Sequence, residues 1–193
     1  MNPQRLAASF RDPGGFVYIR DGVLYRQVNR CCRQEYEALS SSGLLPRLWE
    51  RGLLVRHEEA DLGLAASPDA CRVLRPERVA FVSHPYEWPF SAWKDAALAT
   101  LEIQAEAMRL GLTLKDASAY NIQFVDGRPV FIDTLSFEPY EPGRPWVAYR
   151  QFCQHFLAPL AIMARVDIRL GTRLMRGSID GIPLDLASRL LGR

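Results

Sequence analysis

Between Leu112 and Glu138 the chain reads LTLKDASAYNIQFVDGRPVFIDTLSFE, and three of its side chains have the types and spacing for phosphoryl chemistry. Asp116 and Asn121 lie five residues apart in a loop, and Asp133 follows at the end of a hairpin. The hairpin is read from two short β-branched and aromatic runs, Ile122 to Val125 and Pro129 to Ile132. Asp126-Gly127 between them supplies the positive φ angles that a two-residue type I′ turn requires. A two-residue turn folds the ends of its strands together, so Asn121 and Asp133 are expected in one neighbourhood, with Asp116 in reach. Two carboxylates and a carboxamide are hard oxygen donors of the kind Mg2+ takes when phosphates complete its shell. The competing reading is local: Asp and Asn in loops also bond their own backbone in Asx turns and caps.

The spacing DxxxxN, then a hairpin, then Asp resembles the catalytic loop and metal-binding Asp of the protein-kinase-like superfamily, small-molecule phosphotransferases included. That resemblance implies that Asp116 accepts the proton of an attacking hydroxyl and that Asn121 and Asp133 hold Mg2+ on the phosphates of ATP. This chain departs from the pattern at several positions. Leu114 and Lys115 stand where His and Arg precede the kinase Asp, Ser118 stands where many kinases carry a Lys, and Thr134-Leu135 replaces Phe-Gly.

The elements that would position these residues follow from the rest of the chain. Asp12-Pro13-Gly14-Gly15 turns into a strand, and Phe16 to Arg20 and Val23 to Val28 flank Asp21-Gly22 as a second hairpin. The glycine-rich loop of kinases is represented only by Pro13-Gly14-Gly15. Alternation puts Arg26 between Leu24 and Val28 on one face. Kinases place a phosphate-holding Lys on such a strand, paired with a Glu of the next helix. Arg26 is the candidate stand-in here, with Glu35 or Glu37 as its partner; alternatively it is an edge-strand arginine lying over apolar surface with its head in water. Two helices are expected over 30–51, the second stopped by Gly52, and a strand pair or one broken strand over 72–82. His84 to Phe90 has the proline and aromatic content of a hinge. A helix capped by Ser91 runs to Gly111, a mostly apolar helix over 146–164 bends near Pro159, and two further helical pieces end the chain. The resulting expectation is an α+β, protein-kinase-like two-lobed fold with a shortened C-terminal lobe. Its small lobe would span 1–83 and its helical large lobe 84–193.

Composition narrows the function classes. A chain of 193 residues with 48% hydrophobic residues buries a substantial core. A formal charge of +2 gives no electrostatic case for a nucleic-acid partner, although 22 of the 24 basic residues are arginine. Cys31, Cys32, Cys71 and Cys153 lack CxxC spacing, and His57, His84 and His155 are scattered, so neither a disulfide framework nor a zinc site is expected. With no leader pattern and no apolar run near the ~20 residues that span a bilayer, a cytoplasmic protein without a membrane partner is expected.

Four longer phrases resemble the N-terminal half of bacterial proteins labelled class I SAM-dependent methyltransferases: SFRDPGGFVYIRDGVLYRQVNR, RPERVAFVSHPYEWPFSAWKDAAL, LKDASAYNIQFVDGRPVFIDTLSFE and PWVAYRQFCQHFLAPLA. No strand leads into a GxGxG-type SAM loop, so methyl transfer by this chain alone is not expected. Two readings result. One is a kinase-like phosphotransferase using Mg2+, ATP and a hydroxyl-bearing substrate. The other is a non-catalytic, pseudokinase-like or substrate-presenting domain that serves a methyltransferase, in trans or within a longer parent chain.

Overall fold

The computed structural model describes residues 3–6 and 12–192 and is an α+β structure. Five antiparallel strands form the main sheet: β1 (Gln4–Arg5), β2 (Gly15–Arg20), β3 (Val23–Asn29), β4 (His57–Ala60) and β5 (Ala70–Pro76), in the spatial order β1-β2-β3-β5-β4. Both Asp-Gly turns form as the sequence requires. Arg20 faces Val23 across the first and Val125 faces Arg128 across the second. Asp21 and Asp126 have φ of 50°, Gly22 79° and Gly127 75°, the signs that let the strand twist continue through a two-residue turn.

Helices α1 (Arg33–Ser41) and α2 (Leu44–Glu50) connect β3 to β4, with the left-handed Gly43 between them and left-handed Gly52 just beyond the second. Of the strand pair or broken strand expected over 72–82, a single strand forms: β5 ends at Pro76, which is paired with His57, and one further bond, Glu77 N–H to the Arg56 carbonyl at 2.8 Å, follows before the chain leaves the sheet. The long helix α3 (Phe90–Arg109) starts one residue before Ser91, with Pro89 in the cap position, its carbonyl accepting from Trp93 N–H at 3.1 Å. Ser91 is therefore a first-turn residue and not the cap. Gly111 closes the helix at φ 74°, as its position predicts.

Two short ladders follow. β6 (Leu112–Leu114) pairs with β9 (Phe137–Pro139), and β7 (Ile122–Val125) pairs with β8 (Arg128–Phe131) as the predicted hairpin. The expected apolar helix near Pro159 is three pieces: α4 (Tyr149–Phe152), one π-helical turn over Cys153–Leu157, and α5 (Ala158–Arg165). Proline cannot donate to the carbonyl four residues back, and widening the turn before it relieves both the lost bond and the ring clash. Helices α6 (Ile168–Arg176) and α7 (Leu184–Leu191) complete the chain. None of the helices among the described residues is long and apolar enough to cross a membrane.

The larger core joins α2, α3, the hairpin and the C-terminal helices, with Trp93, Ile103, Leu114, Ile122, Phe131 and Phe156 fully enclosed. A smaller cluster of Val28, Cys32, Tyr36, Cys71 and Leu74 sits under the main sheet and includes Leu135, which arrives from just beyond the hairpin. This is how the hairpin's far end is fixed against β2 and β3. A Cβ on Gly15 would lie 2.1 Å from the Gln27 carbonyl oxygen and 2.8 Å from Leu135 Cδ1. Gly15→Ala is therefore expected to lose about 3 kcal/mol through overpacking, read as a lower urea midpoint with an unchanged slope.

Candidate functional site

The hairpin ends meet as its geometry requires. Ile132 N–H donates to the Asn121 carbonyl at 2.8 Å, which sets the side chains of Asn121 and Asp133 on the same rim. They are linked through one hydroxyl: Ser136 Oγ donates to Asp133 Oδ2 at 2.8 Å and accepts from Asn121 Nδ2 at 3.4 Å. Asp133 also caps the 3-10 turn Thr134–Ser136, its Oδ1 accepting from Leu135 N–H at 3.0 Å. The cap and the convergence thus coexist in one side chain.

Arg26 of β3 reaches the same carboxylate. Its Nη2 lies 2.5 Å from Asp133 Oδ1 and 3.4 Å from Asp12 Oδ2. The arginine is only 9% exposed and sits on the strand between β2 and β5, so the edge-strand alternative does not apply. Among the described residues Arg26 pairs with neither Glu35 nor Glu37; Glu37 instead faces Arg72 at 3.7 Å. Glu35 lies in the first turn of α1, half-buried, where its charge acts on Cys32. The Arg26 Nε–H is enclosed without an acceptor. A buried donor of this kind costs free energy until something accepts from it.

Asp12, which the sequence reading treated only as a turn residue, completes the charge cluster. Burial raises its carboxyl above the usual range, and Asp133 pushes the same way, against the Gly14 N–H bond and the charges of Arg26 and Lys115. Its Oδ1 accepts from Gly14 N–H at 2.7 Å, so the Pro13-Gly14 turn is folded over this carboxylate. Lys115 places its Nζ 4.0 Å from Cys32 Sγ, and that thiol is raised to about 11, chiefly by burial. Asp12 joins the site through long-range packing, and only its charge could have flagged it; Lys115 is brought there by its place next to Asp116.

Asp116 is held by its backbone neighbours. Lys115 N–H donates to the Ser136 carbonyl at 2.8 Å, extending the β6/β9 ladder by one bond. Ala117 N–H donates to Gln151 Oε1 at 2.7 Å, and Asp116 Oδ1 accepts from Ser118 N–H at 2.9 Å. The second carboxylate oxygen of Asp116 makes no hydrogen bond among the described residues. No group of three or more His, Cys, Asp or Glu side chains among the described residues is arranged as a metal cage.

Comparison with curated proteins places a relative beside this geometry. The chain is 36% identical over 183 residues to Nodulation protein NoeA of Rhizobium meliloti (strain 1021), a match that covers 94% of the chain. It spans only 38% of that relative's length. No protein-family profile matches the chain.

Proposed function

We propose that the chain is a kinase-like domain of a longer protein, with a small lobe over 1–83 and a large lobe over 84–193, that binds Mg-ATP and transfers phosphate to a hydroxyl-bearing substrate. The observation that carries this reading is the buried Arg26 on the third strand, facing Asp133, with an Nε–H that has no acceptor. Kinases carry a phosphate-holding cation on their third strand and a metal-binding Asp after the catalytic-loop hairpin. Arginine is suited to the same anionic partner because its planar fork matches phosphate oxygens.

The donor set fits Mg2+ held jointly with phosphates. The side-chain Oδ1 of Asn121 accepts no hydrogen bond among the described residues, while its main-chain carbonyl is taken by Ile132 N–H. Asp133 has three of its roughly four acceptor positions engaged, by Leu135 N–H, Ser136 Oγ and Arg26. Asn121 and Asp133 would hold the ion, whose contribution is to neutralise charge on the phosphates. Asp116, with one oxygen tied to Ser118 and the other open, would orient the substrate hydroxyl and receive its proton. Arg26, released from Asp133, would bind phosphate oxygens; catalysis would come from positioning and charge neutralisation.

A second reading is favoured by the same ion pair. With Arg26 on Asp133 and no partner for it in Glu35, the Asp133 carboxylate is already countered from within. That arrangement suits a non-catalytic domain that presents a ligand to another part of a longer parent, such as a methyltransferase domain.

Thermal melting together with turnover separates the two. At a nucleotide concentration about 100-fold above Kd, Mg-ATP is expected to stabilise the parent by about 2.7 kcal/mol, a rise of about 5–10 °C. Asp133→Asn is expected to lose the shift, and Asp116→Asn to keep it while abolishing turnover. No shift with millimolar Mg-ATP would remove the phosphotransferase reading, and a shift with SAM instead would assign the ligand to methyl transfer.

A further inference from the structure

The Asp116 loop is held from behind by one helix. Ala117 and Ala119 are both fully buried, and their N–H groups point away from any ladder. Ala117 N–H donates to Gln151 Oε1 at 2.7 Å and Ala119 N–H donates to His155 Nδ1 at 3.3 Å. Gln151 is the next-to-last residue of α4 and His155 lies four residues on, inside the π-helical turn. The wide turn also frees the Gln154 carbonyl, which accepts from Ile182 N–H at 2.9 Å and ties the turn to the segment before α7. Single π-turns inside α-helices recur at functional sites.

We propose that Gln151 and His155 are positioning residues that hold the loop carrying Asp116 in its working shape by accepting from the two buried N–H groups on either side of Ser118. The proposal takes the role of Asp116 from the reading above, but the way the loop is held stands on the two hydrogen bonds. Acceptance at Nδ1 requires a neutral ring with its proton on Nε2. The groups around the ring are the Asp116 and Asp180 carboxylates, which favour its protonation, and the edge-on Tyr120 ring at 6.2 Å. Burial outweighs both carboxylates and brings His155 down to about 4, so the acceptor is present throughout the neutral range.

Amide hydrogen exchange on the whole chain tests this without any nucleotide. Gln151→Met and His155→Leu keep the bulk and remove the acceptor; Gln151→Glu and His155→Asn keep an acceptor near the same place. The Met and Leu variants are expected to speed exchange at Ala117 and Ala119 by about tenfold, with Ile103 and Phe131 unchanged. The Glu and Asn variants are expected to return both loop amides to parent rates. Parent rates in the Met and Leu variants, equal acceleration throughout the core, or no rescue by Glu and Asn would each overturn the proposal. Mg-ATP melting of the parent is run alongside. Its failure would remove the nucleotide reading and leave the exchange result to decide how the loop is held.

Discussion

Lowering the pH from 6.5 towards 4 is expected to remove on the order of 6 kcal/mol of stability, about 3 kcal/mol from each of two buried histidines. His57 and His155 are 8% and 1% exposed, and burial lowers both to about 4. Glu59 opposes the shift at His57 and Arg26 adds to it; Asp116 and Asp180 oppose it at His155. The unfolded chain takes up these protons near pH 6.5 and the native state only near 4, so between those values the unfolded state binds more of them. Stability therefore rises with pH across that window and is lost as pH falls through it. Melting temperature followed against pH should drop by about 10–20 °C from pH 7 to pH 4. The upper part of the window, from 6.5 to 5, lies above the ordinary carboxylate range, and any contribution there from Asp12, raised by burial, has the opposite sign because its native state holds a proton the unfolded chain has released, so the two histidine substitutions are what assign the slope. His57→Gln with His155→Asn should flatten that part of the profile; a flat profile in the parent would show that the rings are not buried as described.

Arg26→Met is expected to destabilise the protein by about 3 kcal/mol, because it leaves Asp133 and Asp12 facing each other without their shared counter-charge. Arg26 has 11% of its side chain exposed and Asp133 18%, so water does little to replace the lost partner. Removing both ends, as Arg26→Met with Asp133→Asn, should recover part of the loss, since Asp12 then faces a neutral carboxamide that still accepts from Leu135 N–H or Ser136 Oγ. A double-mutant cycle in urea gives the coupling directly, and additive single effects would mean that the pair contributes nothing to the fold.

The parts of this architecture that were legible in the sequence are those fixed by neighbours in the chain. The two Asp-Gly hairpins, the glycine after α3 and the helix pair over 30–51 follow from turn chemistry and apolar spacing, and the α+β class follows from them. The convergence of Asn121 with Asp133 follows from the hairpin as well. What lay beyond reach depends on distant contacts. The three-residue β6 and β9 strands carry no period of their own, and nothing near Arg26 indicates Asp133, 107 positions away, as its partner in place of Glu35. Gln151 and His155 read as interior residues of an apolar helix, and their acceptor role exists only because the π-turn sets that helix against the Asp116 loop.

The ladder between β6 and β9 makes a cassette of the residues it encloses. From Lys115 to Ser136 the chain leaves and returns at adjacent points, the first and last residues joined by a main-chain bond of 2.8 Å, while the tip at Asp126-Gly127 stands exposed at the opposite end. Lengthening at that tip costs entropy only logarithmically and leaves the anchored ends where they are. Change at the tip is thereby uncoupled from change at Asp116, Asn121 and Asp133, so the cassette can diverge in outline while its chemical residues keep their mutual places.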